Sequence, residues 1–165
     1  MQILRNFTTL TGITTAAAVG SGLAGGVFFA FSSFVMPALR RLPSGQGIAA
    51  MQSINKQAPT PVFMTLLLGT TALSAGLGIH ALLHRDEEQA VWLAGGSLSY
   101  LASIVLTAAF HIPRNDTLAK LKPDTVESAR YWTTYLSQWT AGNHARTLTC
   151  AASAILFTVA ARRGG

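Results

Sequence analysis

Between Arg5 and Arg40 the chain carries no charged side chain, and from about Phe7 to Met36 it is apolar or weakly polar throughout. A run of that kind has few structural solutions, because about 20 apolar residues rising 1.5 Å each cross the roughly 30 Å hydrocarbon core of a bilayer. Backbone polar groups inside lipid must bond within their own segment, so the run is expected to be a helix. Pro37 and the pair Arg40 and Arg41 are expected to close it. Its opening also has the features of a signal peptide, with Arg5 ahead of an apolar core and Ala16, Ala17 and Ala18 as small residues for cleavage. Uninterrupted apolarity through Val35 argues instead for a retained anchor.

Three further runs repeat the pattern. The second spans Pro61 to Leu83, with Thr60 as N-cap and Pro61 at the first helical position. The third spans Val91 to Phe110, with Pro113 expected to stop it. The fourth is cleanly apolar only from Thr147 to Ala161, so it is expected to recruit Asn143 to Arg146 to complete its crossing. The expected fold is therefore all-α: an integral membrane antiparallel four-helix bundle, one domain over residues 1–165, with spans near 7–36, 61–83, 91–110 and 143–161.

Composition agrees with a lipid solvent. Half of the 165 residues are hydrophobic, 11% are charged, and the mean hydropathy is +0.38. The net charge of +6 sits between apolar runs rather than along one polar face, so no nucleic-acid partner is expected, and anionic lipid head groups of the bilayer are. The single cysteine, Cys150, excludes an intramolecular disulfide. Gly22 and Gly26 form a G-x-x-x-G pair, and Gly69, Gly76, Gly78, Gly95 and Gly96 follow in later spans. Such faces let helices approach closely and offer a route to a homo-oligomer. The expected location is a bacterial inner membrane or its equivalent. Eight Lys and Arg residues fall on the face of the first and third loops against four on the other, which would make those loops cytoplasmic. If Arg40, Arg114 and Arg146 serve a site instead, the difference shrinks to five against four and orientation stays open.

The face of the first and third loops also gathers the unusual polar residues: Asn55; His111, Arg114, Asn115 and Asp116; and Asn143, His144 and Arg146. Polar groups at that depth must be paired or line a cavity. At 100° per residue, Trp132, Tyr135, Trp139, Asn143 and Arg146 fall within roughly 60° of one another if one helix continues through Gly142. That stripe reads either as an interfacial aromatic belt or as the wall of a pocket for a flat aromatic ligand. His80 and His84 stand at i, i+4, a spacing at which two imidazoles can meet a metal, but their own segment supplies no third ligand. His111 and His144 share the other face and form a second candidate metal pair. No H-E-x-x-H, P-loop, G-x-S-x-G or cysteine pair is present, which removes support for hydrolase and nucleotide-driven readings.

Three motifs carry a resemblance to a known family. Gly25-Gly26-Val27-Phe28-Phe29-Ala30-Phe31 with Met36-Pro37-Ala38-Leu39, then Pro113-Arg114-Asn115-Asp116-Thr117-Leu118, then Trp139 followed by Asn143-His144-Ala145-Arg146-Thr147, are similar to the signatures of anthrone oxygenase-like membrane proteins. The chain departs at Thr140-Ala141-Gly142, where a further bulky residue is expected. The resemblance implies an oxygenase acting on an aromatic or polyketide-like small molecule with dioxygen, without flavin, haem or other cofactor; a metal ion at the histidines is the alternative. On that reading His144 is the base that removes a carbon-bound proton, and Arg146 with Asn115 or Asn143 holds the resulting enolate oxygen. Trp139 and Tyr135 would contact the rings, with Asn55 and Arg114 beside them. The competing reading is a non-catalytic membrane protein: a small-molecule binder, a transport component or an accessory subunit.

Overall fold

The computed structural model describes the backbone of residues 2–163 and the side chains of residues 9–163, so the side chains of Arg5 and Phe7 lie outside the described residues. Among the described residues every regular element is helical: α1 (Gln2–Ala30), α2 (Met36–Arg40), α3 (Ser44–Gln57), α4 (Pro61–Leu83), α5 (Ala90–Leu106), α6 (Ile112–Ala119) and α7 (Val126–Arg163), with short π-helical turns at Phe31–Val35 and Thr107–His111. Four continuous stretches are long and apolar enough to cross a membrane: Thr9–Arg40, Pro61–Leu83, Ala90–Ala119 and Val126–Arg163. The protein is a membrane protein built as a four-helix bundle, in which α1 packs on α4 and α7, and α5 packs on the same two helices.

Neither proline is a stop, although the first helix does close at the expected pair Arg40 and Arg41. The first helix runs through Pro37 to Arg40, and the third runs through Pro113 to Ala119. A proline ring collides with the carbonyl four residues back and supplies no N–H. Here the ladder widens by one residue just ahead of each proline: the Met36 N–H reaches Phe31 O, and the Ile112 N–H reaches Thr107 O, both five residues back. That extra residue relieves the clash without ending the helix. The same device thus appears twice, at the same end of the bundle, where the sequence showed no evident repeat. The fourth span also starts earlier than residue 143, because α7 is one helix of 38 residues that continues through Gly142. At 1.5 Å per residue it is about 57 Å long, nearly twice the hydrocarbon thickness.

Close packing rests on glycines other than the G-x-x-x-G pair. A Cβ on Gly20 would lie 2.2 Å from the Thr70 hydroxyl and one on Gly96 would lie 2.7 Å from the Phe157 ring, so these positions set the α1–α4 and α5–α7 approaches. Gly22 only grazes Ala154 at 3.9 Å, and Gly26 faces open space. The first and third loops are largely helical. The apolar side of α3, through Ile48 and Met51, and Leu118 of α6 close over Trp132, Tyr135, Leu136 and Trp139 of α7. Gln52 of α3 fastens this cover by donating to the carbonyls of Leu118 (2.8 Å) and Leu121 (3.0 Å).

Candidate functional site

The stripe predicted on α7 is buried along its whole length: Trp132, Tyr135, Trp139, Asn143 and Arg146 are each no more than 6% exposed. Its polar end lies level with both π-helical turns, which frame it from α1 and α5. The Asn143 amide nitrogen donates to the Phe28 carbonyl (2.6 Å) and the Ser32 hydroxyl (2.7 Å). Its amide oxygen accepts from Arg146 Nη2 at 2.5 Å. Arg146 Nη1 donates to the Thr107 hydroxyl at 3.3 Å. The guanidinium carbon lies 4.2 Å from the Phe28 ring centroid and 5.3 Å from that of Trp139. Arg146 Nε is buried without a hydrogen-bond partner. Among the described residues no carboxylate pairs with this cation; the ion pairs present are His80–Glu87 and Arg163–Glu88.

His111, the last residue of the second π-helical turn, is 1% exposed and stands edge-on to Trp139 with ring centroids 5.2 Å apart. Its Nδ1 is 3.1 Å from the Leu106 carbonyl and its Nε2 is 3.4 Å from the Trp139 carbonyl. Carbonyl oxygens only accept, so a neutral ring that donates from Nδ1 keeps its Nε2 lone pair free. A proton taken up at Nε2 would find the Trp139 carbonyl as its acceptor. Gly142 makes room for this arrangement: a Cβ there would lie 2.5 Å from the Phe110 ring and 3.1 Å from His111 Cε1. The bulk expected between Trp139 and Asn143 therefore arrives from α5's extension, as Phe110.

Below the stripe, Asn115 Oδ1 accepts from both the Tyr135 hydroxyl (2.8 Å) and Trp139 Nε1 (3.0 Å). Asn55, carried by α3, borders the Tyr135 hydroxyl, yet its amide nitrogen is buried with no partner. Arg146 Nε is a stranded donor beside Trp139.

Not every residue singled out in the sequence joins this cluster. His144 lies on the exposed side of α7, one residue and therefore about 100° away from Asn143. His111 and His144 consequently do not face one another as a metal pair. Arg114 turns outward, donating from Nε to Gln138 (3.1 Å) and from Nη1 to the Phe110 carbonyl (2.9 Å), with its guanidinium 3.5 Å over the Phe110 ring. Asp116 is exposed. Sequence reading missed Ser32, Thr107 and Phe110, whose signal was a hydroxyl or aromatic residue within two turns ahead of a proline at the end of an apolar run.

No curated protein and no solved structure matches the chain. A protein-family model described as anthrone oxygenase matches residues 49–156, a stretch that includes Asn55, His111, Asn115, Trp139, Asn143 and Arg146. With about two thirds of its length matched, including most of the buried cluster, the chain belongs to the anthrone oxygenase family.

Proposed function

We propose that the protein is a membrane-embedded oxygenase that deprotonates an aromatic or polyketide-like substrate at a carbon activated by a ring carbonyl and lets the enolate react with dioxygen. The observation that carries this reading is the buried, carboxylate-free guanidinium of Arg146 with its unpartnered Nε. Burying a cation costs several kcal/mol even after relaxation. Two cation–π contacts at about 1–2 kcal/mol each and two charge-assisted hydrogen bonds at about 1.5–3 kcal/mol each offset much of that, but they leave the Nε donor unpartnered and the net charge without a counter-ion. An anionic ligand oxygen would supply the missing counter-charge, and an enolate is such an oxygen.

In this scheme His111 takes the role that the sequence suggested for His144, since it is the histidine buried beside Trp139. His111 takes the carbon-bound proton, and the imidazolium so formed can donate to the carbonyls of both Leu106 and Trp139. Arg146 and Asn143 hold the enolate oxygen. The carbanionic carbon then adds to dioxygen to give a hydroperoxide. Loss of water leaves a carbonyl, so one CH2 and one O2 become one C=O and one H2O. Phe28 and Trp139, which already flank the guanidinium, provide ring contacts. The chain's own residues supply the base and the oxyanion donors, and no resident cofactor is invoked.

Oxygen uptake and quinone absorbance, measured with an anthrone on protein reconstituted in nanodiscs, test the reading. Wild type should consume one O2 per quinone formed, and Arg146→Ala should lose about 100- to 1,000-fold in turnover, as for removal of an oxyanion donor. Wild-type protein that binds the anthrone but consumes no oxygen would support the non-catalytic binder instead.

A further inference from the structure

At the opposite end of the bundle the turn between α4 and α5 brings a third ligand to the histidine pair. His80 lies in the last turn of α4 and His84 caps its C-terminus, and the chain then folds back so that Glu87 lies beside them. The donor atoms of the three residues all lie within 4.8 Å of one another. We propose that His80, His84 and Glu87 form a binding site for one divalent transition-metal ion, best suited to Zn2+, that clasps the turn joining the second and third spans.

Distances support this. Zinc bonds of about 2.0–2.1 Å in tetrahedral geometry place neighbouring donors roughly 3.4 Å apart. His80 Nε2 and Glu87 Oε2 already stand at 3.4 Å. Only His84, which is exposed and whose ring stacks on His80 with centroids 4.2 Å apart, must turn to close in, by at most about 1.4 Å from the 4.8 Å bound.

The surroundings prepare His84 and Glu87 for a metal, while His80 Nε2 gives up the proton it directs at Glu87 when the ion binds. His84 Nδ1 lies 3.0 Å from the His80 carbonyl, which can only accept, so Nδ1 carries the proton and Nε2 keeps its lone pair. Gln89 is 5% exposed and donates to Glu87 Oε2 at 3.0 Å. Two imidazoles and one carboxylate favour a borderline ion over Mg2+ or Ca2+, which take oxygen donors. Three protein ligands leave the fourth position of a tetrahedral ion to water. A plain His–Glu ion pair would need neither the second imidazole nor the anchoring amide.

Competition against a chromophoric chelator tests this on full-length protein in detergent, stripped with EDTA and titrated with Zn2+. One Zn2+ per chain is expected, with affinity at least 10-fold weaker in His84→Ala and in Glu87→Gln. His111→Ala and His144→Ala should bind as wild type does. Thermal unfolding should rise with Zn2+ in wild type, not in Glu87→Gln, and not with equimolar Mg2+. Absence of stoichiometric Zn2+ binding, binding unaffected by the His84 and Glu87 changes, or an equal response to Mg2+ would overturn the proposal. Glu87→Gln keeps size and hydrogen bonding at a partly exposed position, so a folded variant is expected even where His84→Ala misfolds.

Discussion

At the end of the bundle closed by α3 and α6, the guanidinium of Arg146 is buried among amides, hydroxyls and rings with no carboxylate for a partner. At the other end, Arg163 pairs with Glu88 and packs over Trp92, while His80 pairs with Glu87, all with substantial exposure. The first arrangement stores an electrostatic deficit with no acidic partner among the described residues; at the second, acidic side chains stand beside the basic ones and water reaches both. What separates the two ends is that around Arg146 both water and counter-ions have been removed, which leaves a buried charge that costs stability unless something pairs with it.

The contrast breaks or sharpens most strongly at Arg146. Arg146→Met, close in volume, should lose turnover about as fully as Arg146→Ala while leaving thermal stability unchanged or higher, because exchanging a buried charge for an apolar chain is often neutral or stabilising by about 1–4 kcal/mol. A melting point that falls with activity would mean that the cation serves the fold instead. Next in size is the histidine comparison. His111→Ala should lower oxygen uptake by about 100-fold or more, whereas His144→Ala should stay within about twofold. The reverse order would return the base to α7's exposed side.

Asn115→Ala strands the Tyr135 hydroxyl and the Trp139 indole N–H together, so about 1–3 kcal/mol of stability should be lost for each donor that finds no water. Chemical denaturation of the reconstituted protein measures this, and a loss under 0.5 kcal/mol, roughly the scatter of a surface substitution, would show that water replaces the amide. Arg163→Ala should change stability least, by about 0–1 kcal/mol, since its pair with Glu88 lies in the open; a larger loss would erase the distinction between the two ends.

Much of the candidate site was legible before any coordinates. The 100° periodicity that gathers Trp132, Tyr135, Trp139, Asn143 and Arg146 holds because α7 does continue through Gly142. The sequence reading nonetheless joined His144 to Asn143 and Arg146 as the base, whereas the structure places it on the exposed side of α7. What periodicity could not supply was the partner set. Ser32 and Thr107 lie more than 35 residues in sequence from the groups they bond, and both belong to π-helical turns whose extra residue rotates everything after it by about 100° relative to an unbroken α-helix.

Four membrane-crossing helices follow from the sequence by itself, because transfer of apolar residues into lipid is a local property that sums along the chain and forces each segment to bond its own backbone. Only the tertiary structure decided that His111 rather than His144 faces Arg146's neighbourhood, that Glu87 reaches His80 and His84, and that Phe110 fills the space above Gly142. Those outcomes depend on the rotational phase of one helix against another. That phase is set by glycine contacts and proline-linked π-helical turns acting between distant segments, which no local sum over residues contains.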